Sequence, residues 1–290
     1  MIENRKSYNI VVSAPIGVDV NTAQEILRGV AQAQNEINNE GGINGIPLKV
    51  AIADDQNDPK IAQELAQTFA NQQDILGVVG HFSSDVTLAA ASVYESSGLV
   101  AISPTSTSTS ISSAGDYIYR TVPSDRYAGN ALSTYFLEEL NKLNAAIFYN
   151  SQSNYSNSLK DSFSTDLIGD GGRVVTEFDL NDPNFDSRDA VSQAKERGAE
   201  ALILLATSST LDSALSVAQT NNRELPLLAG DDVYTAKTLK TAGQDTEDMV
   251  VAIPWHIRGE INADFPSAAT NLWKAEVNWR TALALSLIHI

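Results

Sequence analysis

Two short segments gather hydroxyl groups in a way that could bind a small anion. Gly80-His81-Phe82-Ser83-Ser84-Asp85 follows the apolar run Ile75–Val79, and Ile102-Ser103-Pro104-Thr105-Ser106-Thr107-Ser108-Thr109-Ser110 follows the run Leu99–Ser103. The first segment opens a helix carrying Leu88, Ala91, Val93 and Tyr94. Helix-start amides, the positive end of the helix dipole and a serine hydroxyl together suit a carboxylate. A third segment, Gly230-Asp231-Asp232, ends the run Pro226–Gly230 and offers an acid that can hold an ammonium group. A carboxylate site plus an ammonium acceptor describes a holder for a zwitterion. Each segment also has a plainer use. Ser83 or Ser84 can simply cap the helix, the Ser/Thr run can be a flexible surface loop, and one of the two aspartates can cap a helix over Ala236–Leu239.

Other chemistries lack their residues. The chain has no cysteine, which removes disulfides, thiolate nucleophiles and iron–sulfur ligation together. Its three histidines stand in no zinc spacing. There is no G-x-S-x-G elbow, no P-loop and no G-x-G-x-x-G turn. Asp54-Asp55-Gln56-Asn57-Asp58 lacks the glycine and terminal glutamate of a calcium loop and reads as solvated loop. No catalysis, metal or cofactor is expected. Nineteen basic against 36 acidic residues, a net charge of -17, disfavour nucleic acid and anionic membrane surfaces.

The elements that must position these segments alternate regularly. Strands are expected at Ile10–Ala14, Leu48–Ala53, Ile75–Val79, Leu99–Ser103 and Tyr117–Val122. A second set is expected at Ala145–Tyr149, Val174–Phe178, Ala201–Ala206, Pro226–Gly230 and Met249–Ile253. They are continuous apolar runs, as strands covered by helices on both faces must be. Thr22 and Glu25 suggest a capping box for the first helix, whose stripe is Ala23, Ile26, Leu27, Val30, Ala33 and Ile37. Asp58-Pro59 starts the second helix, and the last helix is expected over Ala268–Ala284. The fold class is therefore α/β, with two doubly wound parallel-sheet lobes joined by hinge crossovers.

Lobe I is expected to comprise residues 1–121 and 251–284, with lobe II at 122–250. The hexapeptide Leu285–Ile290 reads as a non-native tail, because a transposon-derived sequencing adapter encodes it in frame; a genuine buried segment is the alternative. No strand follows to complete lobe I, so a truncated chain is expected. Met1–Lys6 shows no apolar leader, which puts any export signal upstream.

In order and spacing, Gly29, Asn38–Gly45, Asp54-Asp55 with Asp58-Pro59, Gly80-His81, Ile102-Ser103-Pro104, Arg120–Pro123 and Gly230-Asp231 resemble the type I periplasmic solute-binding proteins of ABC transporters. Within these they resemble the leucine/isoleucine/valine-binding branch. The resemblance implies a periplasmic receptor, a monomer, whose two lobes close on an amino acid, with a membrane permease and an ATPase as partners. It implies that Ser84 and the Thr105 backbone bind the α-carboxylate, and that Thr107 and Asp231 meet the α-ammonium. Tyr155 closes from the second lobe, with Ser83 and Ser106 as neighbours. Two places depart from the branch. Val18-Asp19-Val20-Asn21 stands where an aromatic is expected, and Thr207-Ser208-Ser209 where a tyrosine is expected. This puts Ser208 in a wider or more polar side-chain pocket, suited to another amino acid, a small amide or a urea-like solute. Trp255 and His256 could border that pocket, or Trp255 could serve a core. A ligand-sensing module of a kinase or membrane signalling protein is the alternative function.

Overall fold

The computed structural model describes residues 6–259 and 264–288, with the backbone alone for Asp264. The chain divides into two units. Unit 1 comprises Met1–Val122 and Trp255–Ile290, and unit 2 comprises Pro123–Pro254.

In unit 1, β1 (Tyr8–Ala14), β2 (Leu48–Asp54), β3 (Ile75–Val79), β4 (Val100–Ser103) and β5 (Ile118–Arg120) form one parallel sheet in the order β2-β1-β3-β4-β5. In unit 2, β6 (Asn144–Tyr149), β7 (Arg173–Asp179), β8 (Ala201–Leu205), β9 (Leu227–Ala229) and β10 (Val250–Val251) form a second, in the order β10-β9-β8-β6-β7. Both sheets have the same doubly wound topology. Each reverses direction once, between β1 and β3 and between β6 and β8, and the carboxyl ends of those strands are where such sheets bind ligands.

Each sheet has a core on both faces, and the strands show why. Along β8, Ala201, Ile203 and Leu205 pack on one side, while Leu202 and Leu204 pack on the other. In unit 1, Val11 and Val78 face α2 (Pro59–Ala70) and α3 (Ser84–Ser97), whereas Val12 and Val79 face α1 (Val20–Asn39). A side-chain period of two forces this division, so both sets must be apolar.

Helix starts are set by short polar side chains. Asp58 accepts from the amides of Lys60 and Ile61, with Pro59 at the first helical position. The capping box expected at Thr22 and Glu25 is not formed. Helix α1 begins earlier, at Val20, and Asp19 accepts from the Thr22 amide and hydroxyl. A carboxylate next to the first turn displaces the hydroxyl as cap, and Glu25 is drawn to Arg280 instead, at 3.3 Å.

The single helix expected over Ala268–Ala284 is two, α9 (Asp264–Trp273) and α10 (Trp279–Ser286). Lys274 adopts a left-handed φ of 54°, which ends α9, and Asn278 caps α10 by accepting from the Arg280 amide. Helix α10 packs against α1 at Gly29, where a Cβ would lie 2.7 Å from the Leu285 nitrogen and would strike the Thr281 carbonyl. Within the terminal hexapeptide, Leu285 and Ser286 continue α10 and Leu287 is buried beside Ile26 and Val30; His289 and Ile290 lie outside the described residues. Trp255 is half-buried with its ring edge against Phe265, and His256 is exposed. Among the described residues, no helix is long and apolar enough to cross a membrane.

Candidate functional site

In unit 1 the two hydroxyl-rich loops meet at the carboxyl ends of β3 and β4. Ser83 is the cap of α3, accepting from the Val86 amide. Ser84 is buried in the first turn, where its hydroxyl accepts from the Ser108 amide at 3.1 Å. The Ser/Thr segment is not a flexible surface loop: Ser103, Thr105, Ser106, Thr107 and Ser108 are all buried. Thr105 Oγ1 donates to the Phe82 carbonyl at 2.7 Å. Ser106 Oγ lies 2.8 Å from Thr87 Oγ1 and 2.9 Å from Ser103 Oγ. The Arg120 guanidinium ties the loop down from β5, donating to the carbonyls of Thr107 at 2.9 Å and Ser108 at 2.7 Å.

Within this packing one candidate differs from the rest. The Thr107 hydroxyl is buried with no hydrogen-bond partner, while the hydroxyls of Ser83, Ser84, Thr105 and Ser106 are engaged. A buried hydroxyl without a partner loses its hydration and gains nothing in return. At the start of α3 the Val86 amide is already taken by Ser83 Oγ and the Thr87 amide by the Ser83 carbonyl, so the positive end of the helix dipole faces the loop with its cap in place. The arrangement suits a small polar or anionic group.

Gly80 allows the loop to lie against β1. Its φ is +142°, and a Cβ there would lie 2.6 Å from the Ser13 carbonyl. Beneath the loop is a polar cluster that the sequence reading missed. His81 Nδ1 is 2.8 Å from Asp55 Oδ2, its Nε2 is 3.0 Å from Tyr94 Oη, and Ser13 Oγ donates to Asp55 Oδ2 at 3.0 Å. All four residues are buried, so Asp55 is not part of a solvated loop. Burial, reinforced by the Asp55 carboxylate, pushes the Tyr94 hydroxyl well above the ordinary tyrosine range. The Gly80-His81 and Asp54-Asp55 pairs were visible in the sequence, but their contact joins residues 26 positions apart.

In unit 2, Tyr155, in the first turn of α5 (Asn154–Gly169), donates its hydroxyl to Asp231 Oδ1 at 2.5 Å. Burial, then the nearby carboxylates of Asp231, Asp232 and Asp125, keeps this tyrosine far above its usual pKa. Gly230 makes the approach possible, since a Cβ there would collide with the Tyr155 hydroxyl. Neither aspartate caps the following helix, α8 (Ala236–Ala242). Thr235 does so by accepting from the Thr238 amide, because Asp231–Val233 already forms a 3-10 turn capped by Gly230.

At the strand-order reversal of unit 2, Asn150 Nδ2 donates to Thr207 Oγ1 at 3.0 Å, linking the ends of β6 and β8. Ser156 Oγ reinforces the link by donating to the Leu205 carbonyl at 2.5 Å and accepting from the Asn150 amide at 2.8 Å. Asn150 was not singled out from sequence; its only mark is its place directly after β6. Ser208 is half-buried at the start of the turn Ser208–Thr210, which follows β8. Among the described residues, no group of three or more His, Asp or Glu side chains could hold a metal ion.

Known proteins are similar to this chain in sequence and fold. A family model described as "Periplasmic binding protein" matches residues 13–285. An "Amino acid binding protein" of Pseudomonas aeruginosa is 27% identical over 228 residues, covering 78% of this chain and 61% of its own length. The "Leucine-, isoleucine-, valine-, threonine-, and alanine-binding protein" of the same organism is 26% identical over 250 residues, with 86% and 66% covered. The chain thus spans 61% and 66% of the length of these two relatives. Among solved structures, an ABC transporter substrate-binding protein from Desulfitobacterium hafniense aligns with a TM-score of 0.79 and 26% identity, over 98% of this chain and 82% of that one. The substrate-binding protein LivJ from Streptococcus pneumoniae, in complex with isoleucine, is 21% identical and shows the same fold at a TM-score of 0.87, with 98% and 82% covered. With the family match running through both sheets and nearly the whole chain, this sequence belongs to the periplasmic binding protein family.

Proposed function

We propose that the chain is the solute-capturing component of an ABC transporter and binds an amino acid or a similarly small zwitterionic or amide solute without transforming it. The observation that carries this reading is the unpartnered, buried Thr107 hydroxyl beside the N-terminus of α3. Unit 1 takes the α-carboxylate through Ser84 and the Thr105 backbone at the positive end of α3, with Thr107 meeting the α-ammonium. Unit 2 contributes Asp231, held in place by Tyr155, to the α-ammonium. The binder works outside the cytoplasm and hands its solute to a membrane permease driven by an ATPase. The names of the P. aeruginosa relatives, both amino-acid binders, support the ligand class.

The energetics are sufficient. Charge-assisted hydrogen bonds contribute about 1.5 to 3 kcal/mol each. Three or four, less the cost of ordering, reach the roughly -8 kcal/mol of micromolar affinity. A thermal-shift screen of amino acids and small amides identifies the solute, because a ligand that binds only the native state raises the melting temperature. Calorimetry on Asp231→Ala then checks the role of the acid. Affinity for an amino-acid ligand is expected to fall by about 2 to 5 kcal/mol, since the ammonium loses its counter-charge. Unchanged affinity rejects the assignment.

A further inference from the structure

His81 lies at the start of the first hydroxyl loop, fully buried and held at both ring nitrogens. Asp55 receives the Ser13 hydroxyl on Oδ2 and the Asn57 amide on Oδ1, and as a carboxylate it can only accept. The hydrogen between His81 and Asp55 therefore sits on Nδ1. In the neutral ring Nε2 is then the acceptor, and the Tyr94 hydroxyl, which burial keeps protonated, donates to it. The ring is pinned in one tautomer and one orientation by groups from the end of β2 and from α3.

The His81 backbone is where this pinning reaches the binding loops. Its carbonyl oxygen lies 2.6 Å from Ser103 Oγ, 3.3 Å from Ser106 Oγ and 3.4 Å from Thr87 Oγ1. Ser103 Oγ in turn accepts from the amides of Thr105 at 3.2 Å and Ser106 at 2.9 Å. One peptide oxygen thus organises both hydroxyl-rich loops and the first turns of α3.

We propose that His81 is the positioning residue of the unit 1 loops: its ring, locked by Asp55 and Tyr94, fixes the carbonyl around which Thr87, Ser103 and Ser106 gather, and so sets the place of Thr107. The consequence for affinity rests on the proposed function; the consequence for loop order does not.

Three variants of the full chain test this by NMR and calorimetry. His81→Leu fills the space without either ring bond, and His81→Asn keeps an N–H toward Asp55. Tyr94→Phe removes only the hydroxyl on Nε2. In ligand-free protein, His81→Leu is expected to shift or broaden the amide resonances of Ser106, Thr107 and Ser108, with His81→Asn returning them toward wild type. Affinity for L-leucine is expected to fall on the order of tenfold in the first variant and to recover in the second. Unchanged loop resonances in His81→Leu overturn the proposal, as does a His81→Asn spectrum no nearer to wild type. Should His81→Leu fail to fold, Tyr94→Phe decides: the loop amides move, or the proposal fails. A wild-type protein that ignores L-leucine counts against an amino-acid ligand, while the spectra still decide the role of His81.

Discussion

Tyr155 and Asp231 stand 76 positions apart in the chain and meet through a 2.5 Å hydrogen bond, with Gly230 bare beneath the tyrosine hydroxyl. Removing the hydroxyl with Tyr155→Phe is expected to lower stability by about 1.5 to 3 kcal/mol, as for a hydrogen bond to a charged group. Gly230→Ala places a methyl against that hydroxyl and is expected to cost about 1 to 3 kcal/mol. The double variant should cost less than the two together, since the phenylalanine removes the atom that the methyl strikes. Urea denaturation of the four proteins measures the coupling; strict additivity shows that the hydroxyl and the methyl do not compete for space.

Thr107→Val separates structure from binding. The native hydroxyl is buried without a partner, so an isosteric methyl should leave stability unchanged or raise it by up to about 1 kcal/mol. Affinity for the solute found by the thermal-shift screen should drop about three- to tenfold. A stable variant with native affinity removes Thr107 from the site.

Acid should destabilise the protein through two surface carboxylates of unit 2. Burial alone raises Asp179, but the hydroxyl of Ser151 and the amides of Asn181 and Ser151 outweigh it and hold the pKa below the ordinary 3.8. The Leu143 amide, chiefly, with that of Asn144 and with Lys142, overcomes desolvation to hold Glu200 below 4.5. Lowered folded-state values mean stability that is fully present above the unfolded values and lost as pH falls toward the folded ones. Urea midpoints should be level from about pH 7 to 5.5 as far as these groups are concerned and decline below about pH 4.5. Ser151→Ala should reduce that decline; an unaltered acid limb would falsify the contribution of Asp179.

Alkali acts on the opposite pair. Tyr94 and Tyr155 have folded pKa values raised above 10.0, so the stability they contribute is complete below that value and lost as pH rises past it. Tyrosinate absorbance should show two of the nine tyrosines ionising only as the chain unfolds. Smooth titration of all nine in the folded protein would contradict the burial of these two rings.

What could be read from the sequence was local or periodic. Asp58-Pro59 announced α2 because cap and first-turn proline are adjacent, and the run Ala201–Ala206 announced a strand covered on both sides, observed over Ala201–Leu205, because both of its faces are apolar. The start of α1 was misplaced because Asp19 and Thr22 can each cap, and only the backbone geometry decides between them. The break before α10 depends on a left-handed Lys274, a residue type with no preference for that conformation. Contacts across long separations left no trace. Nothing in the spacing of Ser13, Asp55, His81 and Tyr94 foretells that they share one buried cluster, and the Ser/Thr run gave no sign of which hydroxyl would stay without a partner.

The seam at Gly29 constrains how the molecule is made. Thr281 of α10 donates to the carbonyl of Glu25 in α1, 256 positions earlier. At roughly 5 to 20 residues per second, a ribosome needs on the order of 13 to 50 seconds to cover that distance. Throughout this interval α1 has the sheet residues Val12 and Val79 against it but lacks the part of its cover that α10 supplies, while Pro123–Pro254 emerges as one uninterrupted stretch. The segment inserted in the middle can therefore finish folding before α10 closes on α1.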